Sequence, residues 1–126
     1  MTPAATEGQL LKSFLEAVPY RIPGCLVFER PIVNARATAA GRTWHVRSGV
    51  PGMADAYCVA PGGKHVEIEG KSARGQLRDA QIAWQKRCAE LEIPHLVLRA
   101  RKGEAPSDTV SRWCDELRSI LLPAGV

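Results

Sequence analysis

Two carboxylates and a lysine are the residues of this sequence best suited to chemistry. Asp55 ends the run GMAD, and Glu69 lies 14 positions later in the run VEIEGK, which ends at Lys71. Because side chains along a β-strand alternate between its faces, Glu67, Glu69 and Lys71 are predicted to share one face, with apolar side chains on the other. Charged groups are costly to bury unless they bind a partner. The pattern therefore indicates a binding or catalytic site at the end of a strand.

The chemistry that these residue types predict is metal-assisted hydrolysis of a phosphodiester bond. Asp55 and Glu69, from neighbouring strands, are hard oxygen ligands of the kind that Mg²⁺ uses, with waters and a substrate phosphate completing its coordination. A lysine two residues beyond Glu69 would orient an attacking water or help to deprotonate it. Glu67 is an open case, because it would either orient a ligand or lie on the rim of the site. The competing interpretation is that these charges form the solvated face of an edge strand.

A glutamine on the following helix argues against that competing interpretation. A helix over residues 77–92 is predicted from apolar side chains at helical spacing, namely Leu77, Ala80, Trp84, Cys88 and Leu91. Gln81 falls on the same face, where an amide without hydrogen-bond partners would be costly. A charged site on the preceding strand would supply a partner. The spacing of Trp84 favours packing in the core over stacking on a base.

These runs resemble the motifs of a nuclease superfamily, and they occur in the same order. GMAD is similar to the family pattern Gly-x-Pro-Asp, EGK to Glu-x-Lys, and GQLRDAQIAW to Gly-x-Leu-x-x-x-Gln-x-x-Trp. The superfamily is PD-(D/E)XK, and within it the chain looks most like the virus-type replication-repair nuclease (VRR-NUC) domain in its small stand-alone form. The run TEGQ, which begins at Thr6, is similar to the start of the family's first helix. The resemblance extends to about Arg99.

The resemblance implies a fold and a catalytic set. The implied fold is α/β and restriction-endonuclease-like, with a mixed central sheet flanked by helices in the order α-β-β-β-α-β-α. Asp55, Glu69 and the carbonyl of Gly70 would hold Mg²⁺ or Mn²⁺. Lys71 and Gln81 would complete the set, with Gln81 orienting either Lys71 or the attacking water. The implied activity is metal-dependent DNA endonuclease cleavage.

The same resemblance extends to an outer ligand and to DNA contacts. Glu7 is a candidate outer metal ligand, although an acid in the first turn of a helix is also ordinary, because the helix dipole favours it. Four arginines would contact the backbone phosphates of DNA and bind it in a salt-dependent way. They are Arg42, Arg47, Arg74 and Arg78.

Three positions depart from the family pattern. Ala54 replaces the usual proline, Gly70 an apolar β-former and Arg78 a Ser or Thr helix cap. None of them removes a group of the implied catalytic set. The departures leave open a second hypothesis, a catalytically inactive nucleic-acid-binding module with a nuclease fold. A third is an unrelated protein that binds a small acidic ligand.

Length, charge and hydropathy bound these hypotheses. The chain has 126 residues, the usual size of one domain, so residues 1–126 are predicted to form a single domain. The formal net charge of +4 suits DNA as a partner, although an ordinary cationic surface would give the same charge. No apolar run approaches the length of a membrane span, and no signal-peptide pattern is evident. We therefore expect no membrane partner and a cytoplasmic location.

The four cysteines and three histidines predict no metal site of their own. Their spacings include no Cys-x-x-Cys or His-x-x-x-His pair, which argues against zinc. The apolar neighbours of the cysteines predict reduced, mostly buried thiols. The histidines lie in predicted strands, where packing or surface roles are favoured over a Cys–His hydrolase.

The remaining patterns predict the elements that hold the motifs. Thr6 begins a capping box and a first helix, which Pro19 and Pro23-Gly24 end. An antiparallel pair of strands, residues 54–60 and 65–69, is joined by the turn PGG. The other predicted elements are a strand over residues 25–28, an open case of a hairpin turning at Ala40-Gly41, a strand over 95–99 and a last helix capped by Ser107.

The stand-alone members of the family resemble structure-selective enzymes that act on four-way or flapped DNA. Cutting both strands of a four-way junction requires two active sites, and therefore a symmetric homodimer. One chain carries one motif, so a monomer would only nick. The carboxy-terminal helix and the segment over residues 31–48 are the candidate dimer faces.

Overall fold

The computed structural model describes residues 5–30, 34–47 and 50–122, and for residues 34–37 and 44–47 it describes the backbone alone. Within these ranges it has three helices and six strands. In chain order they are α1 (Glu7–Arg21), β1 (Leu26–Glu29), β2 (Asn34–Ala39), β3 (Arg42–Arg47), β4 (Ala56–Ala60), β5 (Lys64–Lys71), α2 (Asp79–Glu90), β6 (His95–Arg99) and α3 (Pro106–Leu121).

The main sheet is mixed, and helices lie on both of its faces. Its strand order is β1-β4-β5-β6, in which β4 is antiparallel to both β1 and β5, and β6 is parallel to β5. This confirms the α/β class with a mixed sheet flanked by helices. The hairpin left open in the sequence is present, because β2 and β3 pair around Ala40-Gly41 as a separate two-stranded sheet. The predicted element order therefore gains two strands between β1 and β4.

The first helix begins where the sequence predicted. The Gln9 N–H donates to the Thr6 hydroxyl at 3.2 Å, and the Thr6 N–H donates to the Gln9 side chain at 2.9 Å, which together form a capping box. The helix ends at Arg21, between the two predicted stop signals, Pro19 and Pro23-Gly24. Pro19 removes one backbone donor in the last turn, while the buried side chain of Val18 keeps that turn on the core.

The apolar core lies between the sheet and the pair α1 and α3. Phe14 of α1 and Trp113 of α3 are fully buried and meet edge to face, with their ring centroids 6.0 Å apart. Ile68 and Leu98 point from the sheet into the same core. The apolar side of β5 therefore faces α1 and α3, which leaves its charged side for α2.

Helix α2 packs on a polar sheet face, and its buried side is accordingly sparse. Of the five predicted inward side chains, only Cys88 is buried, whereas Ala80 and Leu91 are exposed and Trp84 is half-buried. Gln81 is the second buried residue of this helix. Apolar periodicity misjudged the inward face because the sheet beneath α2 presents carboxylates and not hydrocarbon.

Two further details differ from the sequence prediction. Cys25 and Cys58 form a disulfide, so the prediction of four reduced thiols holds only for Cys88 and Cys114, which are free and buried. The pairing of β1 with β4 brings the first two together, although 33 positions separate them in sequence. Helix α3 starts at Pro106 and not after Ser107, since proline suits the first helical position.

Candidate metal centre

The strands β4 and β5 bring Asp55 and Glu69 together. Their register pairs Ala56 with Ile68, so the next position along places Asp55 level with Glu69. The backbone N–H of Asp55 donates to Glu69 Oε2 at 3.3 Å. Glu69 is only 2% exposed, while Asp55 is half-buried and open to solvent. The predicted carboxylate pair is thus present at the start of one strand and near the end of its neighbour.

Gln81 holds the second oxygen of Glu69. Its Nε2 donates to Glu69 Oε1 at 2.8 Å, and its own Oε1 accepts from the backbone N–H of Arg78 at 2.9 Å. The buried amide therefore links the start of α2 to the acidic strand. The predicted need for a polar partner is confirmed, but the bond goes to Glu69, whereas the sequence interpretation had Gln81 orienting Lys71 or a water.

The carboxylates of Asp55 and Glu69 lie close enough for one to disfavour the ionised form of the other. Burial and then the Asp55 carboxylate raise the pKa of Glu69 to about 8, and the charge of Lys71 acts in the opposite direction. Lys71 is itself buried, at 7% exposure, and ends β5 on the same face as Glu69. A cation bound beside both carboxylates would favour the ionised form of each.

A pocket of about 350 Å³ opens beside Asp55. The Gly70 backbone and the Glu7 side chain from the first turn of α1 also line it, as does Glu29 at the end of β1. Glu69 does not line this pocket, and its contact there is with the backbone N–H of Asp55, which does. The structure therefore places the predicted ligands Asp55, Gly70 and Glu7 around one opening.

A metal ion at this pair would have few protein ligands. Across residues 5–30, 34–47 and 50–122, no group of three His, Cys, Asp or Glu side chains is close enough to hold an ion by itself. Mg²⁺ typically takes one or two carboxylates and keeps several waters. A carboxylate pair with a backbone carbonyl nearby meets that requirement.

Glu67, two positions before Glu69, serves a different purpose. It is 1% exposed, and Arg30 donates to both of its oxygens at 2.6 and 2.7 Å. His65 bonds one of these oxygens and Trp84 Nε1 donates to the other at 3.2 Å. Burial alone would raise the pKa of Glu67, but the bonds from Arg30 and His65 hold it below its ordinary value. Glu67 is therefore an ionised carboxylate whose charge is balanced by Arg30 and whose role is structural.

Sequence reasoning missed this network around Glu67. His65 had been assigned a packing or surface role, although its spacing of two from Glu67 places both side chains on one strand face. Arg30 carries no motif in the sequence and was not predicted to belong to the site. It reaches Glu67 because β1 pairs with β4, and its guanidinium also lies 4.6 Å from the centre of the Tyr57 ring.

Gly52, the first residue of GMAD, fixes the loop that carries Asp55. Its φ is +77°, a conformation that favours glycine, and a Cβ at this position would overlap the carbonyl oxygen of Ala80. The loop therefore lies directly against the first turn of α2, which also carries Gln81. Close contact at Gly52 thus couples the position of Asp55 to that of the helix.

The four predicted DNA-binding arginines lie in two regions. Arg74 and Arg78 are exposed in the loop between β5 and α2, next to the acidic strand. Arg42 is exposed at the start of β3, in the separate two-stranded sheet. The side chain of Arg47 lies outside the described residues. Among the three arginines whose side chains the structure describes, Arg74 and Arg78 are therefore the two placed beside the candidate centre.

Comparisons with known proteins add no relative to this geometry. No protein-family model matches this chain, and no curated protein matches it. Among the helices of the described ranges, none is long and apolar enough to cross a membrane.

Proposed function

We propose that this protein is a Mg²⁺- or Mn²⁺-dependent DNA endonuclease of the PD-(D/E)XK type, similar to stand-alone VRR-NUC domains. The observation that carries the proposal is the Asp55–Glu69 pair, held by Gln81 on a strand face that also bears Lys71. A mixed sheet with α1 and α3 on one face and α2 on the other supports the restriction-endonuclease-like fold.

The metal would be held by Asp55, Glu69 and the carbonyl of Gly70, with Glu7 across the pocket. When bound, it would supply positive charge to the scissile phosphate and acidity to the attacking water. Gln81 keeps Glu69 in a single orientation, because its amide is itself fixed by the backbone of α2. A preorganised ligand of this kind costs no rearrangement at the moment of reaction.

Lys71 would act on the attacking water. Its burial, together with its position on the acidic face of β5, places an ammonium beside Glu69 without exposing it to bulk solvent. It would orient the water toward the phosphate and exchange a proton with it. Arg74 and Arg78, exposed in the adjoining loop, would bind the neighbouring backbone phosphates.

Labelled linear, flapped and four-way-junction DNA, each incubated with Mg²⁺, Mn²⁺, Ca²⁺ or EDTA, tests the proposal. We expect cleavage of at least one form with Mg²⁺ or Mn²⁺, none with EDTA and none by Asp55→Asn. Intact DNA in every Mn²⁺ reaction, with DNA binding preserved, would make the chain a non-catalytic binding module.

A further inference from the structure

A second pocket, of about 570 Å³, opens at the ends of β5 and β6. These strands are parallel, so their carboxyl ends meet at the same edge of the sheet. The loop after β5 forms one wall, the loop after β6 forms another, and the starts of α1 and α3 close it. Its size falls within the range of roughly 300–1,000 Å³ that is typical of small-ligand sites.

The charge of this pocket is positive. Arg74, Arg101 and Lys102 are exposed and line it, and no ion pair joins them to a carboxylate within the described part of the chain. Glu104 also lines the pocket, but its carboxylate is occupied. Arg112 donates to both of its oxygens at 2.8 and 2.9 Å. Three cations therefore face the pocket without an opposing free acid.

Most of the other lining residues are small or apolar, and two carry hydroxyls. The first group is Ala5, Leu10, Ala73, Ala100, Gly103 and Pro106, and the hydroxyls belong to Ser72 and Thr109. An inorganic anion would use only the cationic rim of such a pocket. A nucleotide would use both parts, because its phosphates match the cations and its base or sugar matches the apolar wall.

The pocket begins one residue beyond the proposed catalytic strand. Ser72, which lines it, directly follows Lys71, so their Cα atoms are about 3.8 Å apart. Arg99 donates to the carbonyl oxygens of Ser72 and Gly75 and so fixes the loop between the two sites. A DNA strand that crosses the acidic centre would therefore meet this pocket at the next position along the chain.

We infer that the pocket binds the nucleotide next to the scissile phosphate, with Arg74, Arg101 and Lys102 on its phosphates and the apolar wall against its base or sugar. This inference rests on the proposed nuclease function, of which it specifies the substrate contact. It assigns to Arg101 and Lys102 a role in DNA binding equal to that of Arg74.

The test measures binding of a short labelled single-stranded DNA by fluorescence anisotropy, in an Asp55→Asn background that cannot cleave it. Replacing both Arg101 and Lys102 by alanine should weaken binding about tenfold or more and lower the salt slope by about 0.7 for each lost phosphate contact. Arg118→Ala is the single-charge control, because Arg118 lies near the far end of α3 from Pro106. It should change affinity less than about twofold.

A second variant tests the shape of the pocket independently of its charge. Ala73 is exposed, so Ala73→Leu should fold normally and reduce the space for a nucleotide without changing the number of cations. We expect weaker binding with an unchanged salt slope. Affinity equal to the parent protein would overturn the pocket, because a flat cationic surface would not respond to added hydrocarbon.

The failure of this inference differs from the failure of the proposed function. If the double alanine variant binds DNA as well as Arg118→Ala does, the pocket is overturned whether or not the wild type cleaves DNA. If the wild type cleaves no DNA with Mn²⁺ while the pocket variants still lose affinity, the nuclease proposal fails and the nucleotide pocket stands.

Discussion

Glu67 and Glu69 show how neighbouring groups decide the role of a carboxylate. The two residues share a strand and a face, yet Glu67 meets Arg30 and Glu69 meets Asp55. Positive charge beside the first holds its pKa below the ordinary value, and negative charge beside the second helps to raise its pKa, which is the environment that the proposed metal ligand would have before a cation binds. Groups whose environments push their pKa values in opposite directions commonly divide structural and catalytic work in this way.

This division predicts opposite effects of two matched substitutions. Glu69→Gln should abolish cleavage and leave the free energy of unfolding nearly unchanged near neutral pH, because burial and Asp55 raise the pKa of Glu69 to about 8 and so already favour its neutral form in the metal-free protein. Glu67→Gln should lower the free energy of unfolding by about 2 kcal/mol, since Arg30 then loses its charged partner. Denaturant unfolding measures both changes. A stability loss for Glu69→Gln larger than that for Glu67→Gln would reverse the two assignments.

Lys71 should matter for the chemical step and not for the metal. Lys71→Ala is expected to bind Mn²⁺ normally and to turn over DNA slower by about two to four orders of magnitude, the loss typical of a positioned proton-transfer group. Lys64→Ala, at the other end of β5, should retain the wild-type rate. A parallel loss of Mn²⁺ affinity would make Lys71 a structural counter-ion of the carboxylates.

Several residues of the site were predictable from sequence and others were not. Asp55, Glu69 and Gln81 followed from strand alternation and from a polar residue on a helix face. The hydrogen bond from Gln81 to Glu69 could not be predicted, because helix periodicity shows on which face of the helix a side chain lies and not which residue it bonds. Arg30 was out of reach for a similar reason, since its contact with Glu67 depends on which strand lies beside β4.

At the scale of elements, the contact between the Asp55 loop and α2 predicts that position 52 tolerates only glycine without a loss of stability. Gly52→Ala should lower the free energy of unfolding by about 2–3 kcal/mol, because it adds both left-handed strain and overlap with Ala80. Gly62→Ala is the matched control, since Gly62 also has a positive φ, of +85°, but open space around it. Chemical denaturation of both variants separates strain from overlap. Equal losses in the free energy of unfolding would contradict the close contact between Gly52 and Ala80.

The loop between β6 and α3 is held by Glu104, which predicts a pH dependence. The hydrogen bond from Arg112 lowers the pKa of Glu104 to about 2, from an ordinary 4.5. A lowered folded-state pKa adds stability above the ordinary pKa, and that stability disappears as the pH falls toward the lowered one. The melting temperature of Glu104→Gln should therefore lie below that of the wild type near neutral pH.

The gap in melting temperature between wild type and Glu104→Gln should close between about pH 4.5 and pH 2. Thermal melting followed by circular dichroism across this range gives the gap directly. Glu116→Gln serves as the control, because Glu116 makes only a longer bond of 3.4 Å with Arg112. A gap that persists unchanged at pH 2 would show that Glu104 stabilises the loop by packing and not by charge.

The elements themselves were predicted with uneven success. The positions of α1, β4, β5 and β6 followed from apolar spacing and capping residues. The inward face of α2 was predicted wrongly, because apolar periodicity assumes a hydrocarbon surface beneath the helix. The disulfide between Cys25 and Cys58 left no sign in the sequence, since it depends on strand pairing.

At the scale of the whole molecule, the structure narrows the choice of a dimer face. In the predicted candidate, the carboxy-terminal helix, Trp113, Leu117 and Leu121 are buried against α1 and the sheet and Ile120 is half-buried, which leaves little apolar surface for a partner. The other candidate, the segment over residues 31–48, lies partly outside the described residues. The homodimer therefore stays a prediction tied to four-way-junction cleavage.

Titration of Mn²⁺ into the metal-free protein, followed by calorimetry, tests the central claim without requiring the right DNA substrate. The wild type is expected to bind Mn²⁺ at the Asp55–Glu69 pair, and Asp55→Asn combined with Glu69→Gln is expected to lose that binding while keeping the wild-type fold by circular dichroism. Glu67→Gln should bind Mn²⁺ as the wild type does whenever it is folded. Equal Mn²⁺ binding by the wild type and the double variant would contradict the assignment of this pair as the metal centre.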